Sequence, residues 1–171
     1  MDAPTREWTV AGGLVETDAG LLLVQNRRRG GSLDWTPPGG VIDTTDVSVI
    51  AGLTREVEEE TGLLVLEWEG PVYEVRAVAP DLGWIMHCEV YRAVRFAGVL
   101  RLEDPDGIVV DAAFVPSTEC AELLIDGPRW VREPLSEWIE HRWNHEAPRG
   151  FHFSVRGTEP AELHVERVHH P

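Results

Sequence analysis

The segment 55–63, REVEEETGL, places four glutamates within five positions of a chain whose net charge is already −15. A helix turns by about 100° per residue, so Glu56, Glu59 and Glu60 fall within an arc of roughly 100° while Glu58 faces the far side. Carboxylates crowded on one face repel one another unless a cation lies between them, and Mg²⁺ and Mn²⁺ prefer such oxygen donors. Taken alone, the pattern leaves two interpretations open: a divalent metal site, and a solvated helix face, which is the commoner role of such a helix.

A helix is predicted for these glutamates by the residues around them. Ile50, Leu53 and Val57 have the i, i+3, i+7 spacing of an amphipathic helix, and Val57 borders the acidic arc. Ser48 is a suitable N-cap, and Gly62 suits the left-handed position that follows a last helical turn. The acidic arc is therefore expected to lie beside the edge of the helix that faces the core.

The rest of the chain predicts a mixed α+β fold. Strands are expected at 8–16, 20–28, 71–79, 84–96 and 107–116, with a hairpin turn at 17–19 and a loop at 27–40. Helices are expected at 117–124 and 128–143, with Pro134 breaking or starting an element. A short hairpin followed by a frayed end is expected in 151–171. This order of elements favours one mixed sheet with helices packed on its faces.

The segment 37–63, PPGGVIDTTDVSVIAGLTREVEEETGL, resembles the Nudix box G-x5-E-x7-R-E-U-x-E-E-x-G-U, in which U is a bulky aliphatic residue. The positions that match are Gly40, Arg55, Glu56, Val57, Glu59, Glu60, Gly62 and Leu63. The resemblance covers roughly residues 8–125. It implies the Nudix fold, a mixed β-sheet sandwiched between helices, as a single domain over 1–171 whose segment 126–171 is a C-terminal helix and tail extension.

The chain departs from the Nudix box at its first acidic position. Counting forward from Gly40 reaches Asp46, whereas counting back from Arg55 reaches Val47, so the loop contains one inserted residue. An aspartate at best replaces the glutamate of the family, and its side chain is one methylene shorter. Asp43 is a second carboxylate nearby. Either the longer loop compensates for the shorter reach of Asp46, or the role of this acid is lost.

The resemblance implies Mg²⁺-dependent hydrolysis of a nucleoside diphosphate linked to another group, with Mn²⁺ as a substitute metal. The implied metal ligands are Glu56, Glu59, Glu60 and the carbonyl of Gly39; the implied catalytic residues are Glu56, Arg55 and Glu59. Glu56 is favoured as proton acceptor, and the later loop acids Glu103, Asp104 and Asp106 are rivals or additional ligands. A nucleoside triphosphate and an ADP-ribose-like sugar nucleotide both remain open as substrate. The alternative function is a Nudix-fold module that senses a nucleotide without cleaving it.

Four residues upstream of the box are candidates for substrate binding. Arg27, Arg28 and Arg29 follow a predicted strand near the box loop and could bind phosphates. Trp35 could stack on a base, with core packing as the alternative.

Composition limits the remaining possibilities. The chain has no lysine, which excludes a Schiff-base lysine and the lysine of a P-loop. Its strong acidity argues against binding nucleic acid, and no apolar run reaches the length of a membrane span. Cys88 and Cys120 are expected to be reduced packing residues. A cytoplasmic protein is expected, and its C-terminal helix could form a homodimer interface.

Overall fold

The computed structural model describes residues 5–169, which form ten strands and three α-helices. The helices are α1 (Val49–Thr61), α2 (Ser117–Leu124) and α3 (Arg129–His141). The strands are β1 (Arg6–Leu14), β2 (Glu16–Thr17), β3 (Gly20–Arg27), β4 (Leu33–Thr36), β5 (Gly39–Val41), β6 (Leu64–Ala79), β7 (Trp84–Ala97), β8 (Val109–Val115), β9 (Arg149–Arg156) and β10 (His164–Val168). Across this described part, each helix is too short or too polar to cross a membrane.

Six strands form a mixed sheet in the order β10-β9-β6-β7-β1-β5. The β1–β7 and β6–β9 pairs are parallel and the other pairs are antiparallel. Cys88 pairs with Val10 on one side and with Val75 on the other, and Val75 pairs in turn with Phe151. Because side chains alternate along a strand, this row of apolar residues points to a single face of the sheet.

The two faces of this sheet carry separate hydrophobic clusters, which confirms the predicted α+β layering. On one face, Leu53 and Val57 of α1 pack with core residues that include Ala11 and Tyr91. The opposite face packs against α2 and α3, and its cluster contains Leu124 from α2 together with residues of α3 and β9. Helices therefore cover both faces of the mixed sheet.

A second sheet, which the sequence did not predict, is built around β3, whose partners are β2, β4 and β8. The hairpin predicted between the first two apolar runs is therefore wrong in its partners: β1 lies in the six-stranded sheet, and the tight turn joins β2 to β3 by pairing Thr17 with Gly20. Leu14 is buried in one hydrophobic cluster and Val15 in the other. The chain passes from the first sheet to the second at Val15, between the end of β1 and the start of β2.

The loop predicted at 27–40 is also wrong in part, since it contains β4 and β5. Strand β4 pairs with β3, and β5 pairs with the edge of β1 through Gly39 opposite Gly12 and Gly40 opposite Ala11. Glycine and proline are uncommon in strands, so the composition of this segment predicts a loop. Strands β4 and β5 nevertheless form, because partner strands are available to pair with them.

The C-terminal segment contains a further difference from expectation. Pro134 neither starts nor ends an element but lies buried inside α3. The predicted hairpin is confirmed as the antiparallel pair β9–β10, and β9 extends the large sheet by pairing with β6. The expected frayed end falls on residues 170–171, outside the described residues.

Candidate active site

Helix α1 has the caps that the sequence predicts, and they fix the direction of its acidic face. The Ser48 hydroxyl accepts a hydrogen bond from the Ala51 N–H at 3.0 Å. Gly62 has φ of 77° and its N–H donates to the Glu58 carbonyl at 2.8 Å. Glu58 is exposed, as its helical phase predicts, whereas Glu60 is buried.

Glu60 is the most enclosed of the four glutamates, with 9% of its surface exposed. Its Oε2 accepts the Gly39 N–H at 3.0 Å, which ties α1 to β5. Gly39 has φ of 153°, and a Cβ there would lie 2.0 Å from the Ala11 carbonyl oxygen. Only glycine therefore lets the backbone N–H of β5 reach this carboxylate.

Glu56 lies beside the next residue of β5. A Cβ added to Gly40 would lie 2.7 Å from Cδ of Glu56, so the carboxylate rests against a bare backbone. Consecutive glycines of β5 thus contact the two most enclosed carboxylates of α1. This close approach explains why both positions need glycine.

Burial and mutual repulsion disfavour the charged forms of these two glutamates. The pKa of Glu60 is raised to about 8, mainly by burial, and the charges of Glu56, Asp104 and Glu59 add to the rise against the opposing Gly39 N–H. Burial likewise raises the pKa of Glu56, although Arg55 opposes it. Two desolvated carboxylates that repel each other are a set of donors that a cation would stabilise.

Arg55 joins the acids of the helix to the inserted loop. Its Nε and Nη2 donate to Asp46 at 3.0 Å and 2.9 Å, and its Nη1 lies 3.1 Å from Glu56 and 3.3 Å from Glu59. The Arg55 guanidinium holds the pKa of Asp46 below its usual range. The longer loop therefore brings the shorter aspartate into two-point contact with the arginine. Asp43 instead shapes the loop, where it accepts the Thr45 N–H at 3.0 Å.

The loop acids near the site play different structural parts. Asp104 accepts three backbone N–H groups, from Asp106, Ile108 and Val109, at 2.9–3.2 Å, so its carboxylate closes the loop before β8. The exposed Asp106 has no such bonds on its side chain within the described residues, and its charge raises the pKa of Glu56. Glu103 is exposed and lies outside the pocket described next.

Glu56 and Glu60 line a pocket of about 630 Å³ that lies between the two sheets and the start of α3. One end is polar, with Glu56, Glu60, Asp104 and Asp106 near the glycines of β5 and with Arg28 also in the wall. The remaining wall is largely apolar and is formed by residues that include Val10, Val75, Met86, Cys88, Val90, Pro128, Trp130 and Val131. Volume and composition are those of a site for a small organic ligand.

The NUDIX domain family model matches residues 6–139 of the chain. The chain belongs to the Nudix family. As a member, it is a Nudix pyrophosphohydrolase, an enzyme that acts on phosphorus-containing acid anhydrides. No curated protein matches the chain by sequence.

Solved structures share the fold of this Nudix protein at low sequence identity. The MutT protein of Methanosarcina mazei Go1 is 18% identical with a TM-score of 0.65, covering 82% of this chain and 98% of its own. The mutator MutT protein of Bacillus halodurans is 21% identical with a TM-score of 0.62, covering 96% and 99%. A MutT NUDIX hydrolase from Burkholderia pseudomallei is 23% identical with a TM-score of 0.58, covering 66% and 85%.

Among the predicted substrate residues of this Nudix protein, only Arg28 lines the pocket. Its Nε and Nη2 donate to Asp34 at 2.7 Å and 2.8 Å, which fixes the guanidinium at the wall. Arg27 and Arg29 are exposed and lie outside the pocket lining, and Trp35 packs against the core cluster of α2 and α3. The position of Trp35 therefore favours the packing alternative.

Sequence reasoning missed the polar residues that hold Arg28 in place. Asp34 is 8% exposed and also accepts a hydrogen bond from Asn26 Nδ2 at 3.1 Å, and the same nitrogen donates to Thr36 at 2.9 Å. Asn26 and Thr36 line the pocket beside Arg28. Asn26 and Asp34 lie opposite each other in the β3–β4 register. The sequence gives no sign of this pairing, because β4 lies in a segment that is predicted to be a loop.

The donor set of this Nudix site fits a hard divalent cation in part. Glu56, Glu60 and Asp106 offer carboxylate oxygens at one end of the pocket, whereas the Glu59 carboxylate is held by Arg55 and lies outside the lining. Within residues 5–169, no three acidic, histidine or cysteine side chains converge into a ready-made metal cage. The site thus resembles one for Mg²⁺, which is commonly held by one or two carboxylates, with waters and substrate phosphates completing its shell.

Proposed function

We propose that the protein catalyses the Mg²⁺-dependent hydrolysis of the diphosphate linkage in a small nucleoside diphosphate derivative, with Mn²⁺ as a substitute metal. The observation that carries this proposal is the pair Glu56 and Glu60, two desolvated carboxylates beside the glycines of β5 at one end of a 630 Å³ pocket. Isolated buried carboxylates are costly, and a divalent cation with a diphosphate would offset that cost.

The metal would be held by Glu56 and Glu60, with Glu59 and the Gly39 carbonyl as further ligands implied by the Nudix box. Asp106 is the loop acid best placed to join them, because it lines the pocket and keeps its carboxylate free of bonds to the described backbone. When bound, Mg²⁺ neutralises diphosphate oxygens and lowers the pKa of a coordinated water. Asp104 is the weaker candidate, since its oxygens close the loop.

The proton of the attacking water would pass to Glu56, with Asp106 as the rival acceptor. Burial raises the pKa of Glu56 towards the pH at which the enzyme would work, and a general base is most effective when its pKa lies near that pH. Arg55 would act as a positioning residue, because it contacts Glu56 and Glu59 and is itself held by Asp46. Arg28, anchored by Asp34, would bind a substrate phosphate from the wall of the pocket.

The proposal is tested by a turnover screen of nucleoside triphosphates, ADP-ribose and related nucleoside diphosphate sugars with Mg²⁺ or Mn²⁺. Released phosphate is read after coupling to a phosphatase, and Glu60→Gln serves as the inactive control. We expect metal-dependent turnover of at least one class that the control lacks. Tight nucleotide binding with no hydrolysis of any compound would favour the sensor alternative.

The remaining proposals concern the whole protein. We infer a single domain over the whole chain, since β9 and β10 of the C-terminal segment join the sheet that contains β6. Cys88 and Cys120 are free thiols, which supports a cytoplasmic location. A homodimer through the C-terminal helix is the remaining proposal, and sedimentation of the purified protein tests it.

A further inference from the structure

A second cavity, the sheet-face cavity, lies on the other face of the six-stranded sheet from the 630 Å³ pocket. Its volume is about 360 Å³, and its wall includes Thr9, Arg76, His87 and His152. These residues form one row across β1, β7, β6 and β9, because Thr9 pairs with His87, His87 with Arg76, and Arg76 with His152. The row is adjacent to the apolar row of Cys88, so the two rows point to opposite faces of the sheet.

Arg76 is the permanently charged member of this row, and it has no partner. Its side chain is exposed, and its guanidinium forms no hydrogen bond or ion pair with residues 5–169. The nearest paired group in the row is His87, whose Nε2 lies 2.5 Å from Oε1 of Glu7. The guanidinium of Arg76 is therefore available as a forked donor for a carboxylate from outside the protein.

Two carboxylates lie in the next row on the same face of the sheet. Glu74 and Glu89 are directly opposite each other in the β6–β7 ladder, and both line the sheet-face cavity. The Tyr91 hydroxyl donates to Glu89 at 3.2 Å. Burial raises the pKa of Tyr91 to about 12, and the charges of Glu89 and Glu74 add to the rise, so both carboxylates lie near one phenol.

This acidic pair lacks a cation. Like charges directly opposite in a ladder are destabilising, and neither Glu74 nor Glu89 forms an ion pair with residues 5–169. Arg76 lies only two positions from Glu74 along β6 and on the same face, yet it does not pair with either acid. Unpaired charges of both signs therefore face one cavity.

Gly150 leaves the space above the acidic row open. It pairs with Glu74 in the β6–β9 ladder and lines the sheet-face cavity. A Cβ added to Gly150 would find its nearest neighbour, Nε2 of His152, at 3.9 Å. The position thus has room for a side chain and has none, and a ligand can occupy that room.

The mixture of charges selects the chemistry of the ligand. A phosphate would be repelled by Glu74 and Glu89, and a bare metal ion would be repelled by Arg76; residues 5–169 also form no metal cage here. Successive residues on one face of a strand are roughly 7 Å apart. An ammonium and a carboxylate on one carbon span about that distance once each is extended by a hydrogen bond of about 2.8 Å.

We propose that the sheet-face cavity binds a free α-amino acid, with the carboxylate of the ligand on the Arg76 guanidinium and its ammonium between Glu74 and Glu89. Each unpaired charge of the cavity then gains a partner of opposite sign. The volume is at the lower end of the range for small-ligand sites. This site is separate from the proposed hydrolysis, because these three residues lie outside the lining of the 630 Å³ pocket.

The test is isothermal titration calorimetry of the full chain, without metal or nucleotide, against each common amino acid. Acetate and methylamine, which carry one charge each, are titrated in parallel. Arg76→Gln and Glu74→Gln remove the two signs of charge in turn. Their matched controls are Arg95→Gln and Glu67→Gln, because Arg95 and Glu67 lie opposite each other on the same two strands and outside the cavity.

We expect at least one amino acid to bind and neither single-charge compound to do so. Arg76→Gln and Glu74→Gln should each weaken binding of the best amino acid about 10- to 100-fold, the loss of a charged hydrogen bond, while both controls bind as wild type does. Gly150→Val should abolish binding by filling the cavity with both charges retained. Circular dichroism checks that each variant is folded, and the two exposed glutamine variants decide the result if Gly150→Val is not.

A wild-type protein that binds no amino acid would overturn the proposal, as would binding that Arg76→Gln and Glu74→Gln leave unchanged. Acetate binding as tight as that of the best amino acid would reduce the site to one for an anion and overturn the assignment. Sedimentation of the same variants covers the remaining occupant. Self-association of the wild type that Arg76→Gln abolishes would assign this face to a second copy of the chain and overturn the amino-acid site.

Discussion

Asp46 and Arg55 form a two-point ion pair, with N–O distances of 3.0 Å and 2.9 Å, across the one-residue insertion of the loop. The paired arginine then contacts Glu56 and Glu59 with its remaining nitrogen. The shorter aspartate in the longer loop therefore still reaches the arginine. The inserted residue has not cost this acid its contact with Arg55.

Asp46→Asn is expected to lower kcat/KM about 10- to 100-fold, since groups that orient metal ligands usually have effects of this size. The amide removes the charge that fixes Arg55, and the arginine is then free to turn away from Glu56. Steady-state kinetics with the best substrate measure the effect. Glu58→Gln, on the exposed side of the helix, is the matched control, and a similar loss in both variants would refute a positioning role.

The glutamates of α1 are expected to differ in importance in the order that their burial predicts. Glu60→Gln should reduce Mg²⁺-dependent turnover at least about 100-fold, because it removes a negatively charged oxygen donor that would hold the metal. Glu59→Gln should have a smaller effect through Arg55, which lies 3.3 Å from it. Glu58→Gln should leave turnover close to normal. Equal effects at the three positions, in the same kinetic assay, would defeat the argument from helical phase.

The stability of the metal-free protein should fall as pH rises through the range set by Glu60. The folded pKa is about 8 against an ordinary value of 4.5, so between these values the folded protein keeps a proton that the unfolded chain releases. Stability therefore decreases with rising pH across that window. Thermal unfolding in a chelator measures this slope, which Glu60→Gln should flatten and which added Mg²⁺ should oppose at the upper end. An unchanged slope in Glu60→Gln would mean that another group is responsible.

Alanine at the two glycines of β5 should separate catalysis from folding. In Gly40→Ala the new Cβ meets the flexible end of Glu56 at 2.7 Å, so the fold should survive while a displaced carboxylate lowers kcat about 100-fold. In Gly39→Ala the Cβ meets the Ala11 backbone at 2.0 Å with φ of 153°, and the protein should lose at least about 2 kcal/mol of stability. Thermal unfolding and kinetics on both variants distinguish these outcomes, and a stable, active Gly39→Ala would contradict them.

Local features of the site could be predicted because they depend on neighbours along the chain. The phase of Glu56, Glu58 and Glu60 follows from the helical repeat, and Ser48 and Gly62 are caps whose chemistry acts within a few residues. The family resemblance then added what local patterns lack, which is the chemistry that such a helix serves.

Contacts between distant segments could not be predicted in this way. The sequence predicts a loop at 27–40, but this segment contains β4 and β5. Asp34 of β4 accepts a hydrogen bond from Arg28, and Gly39 of β5 donates one to Glu60. It also joined the first two apolar runs into one hairpin, whereas β1 and β3 lie in different sheets. Short strands of this kind depend on partner strands far away in sequence, and their own composition carries a weak signal.

The sequence by itself determined that three carboxylates lie on one side of a capped helix, because a helix fixes side-chain directions from residue spacing alone. Only the tertiary structure decided which of them became desolvated and that Asp104, among the loop acids, has its carboxylate bound by the backbone before β8. Burial is a property of the packed whole, and the electrostatics of a carboxylate or a hydroxyl depend on burial more than on its neighbours in the chain.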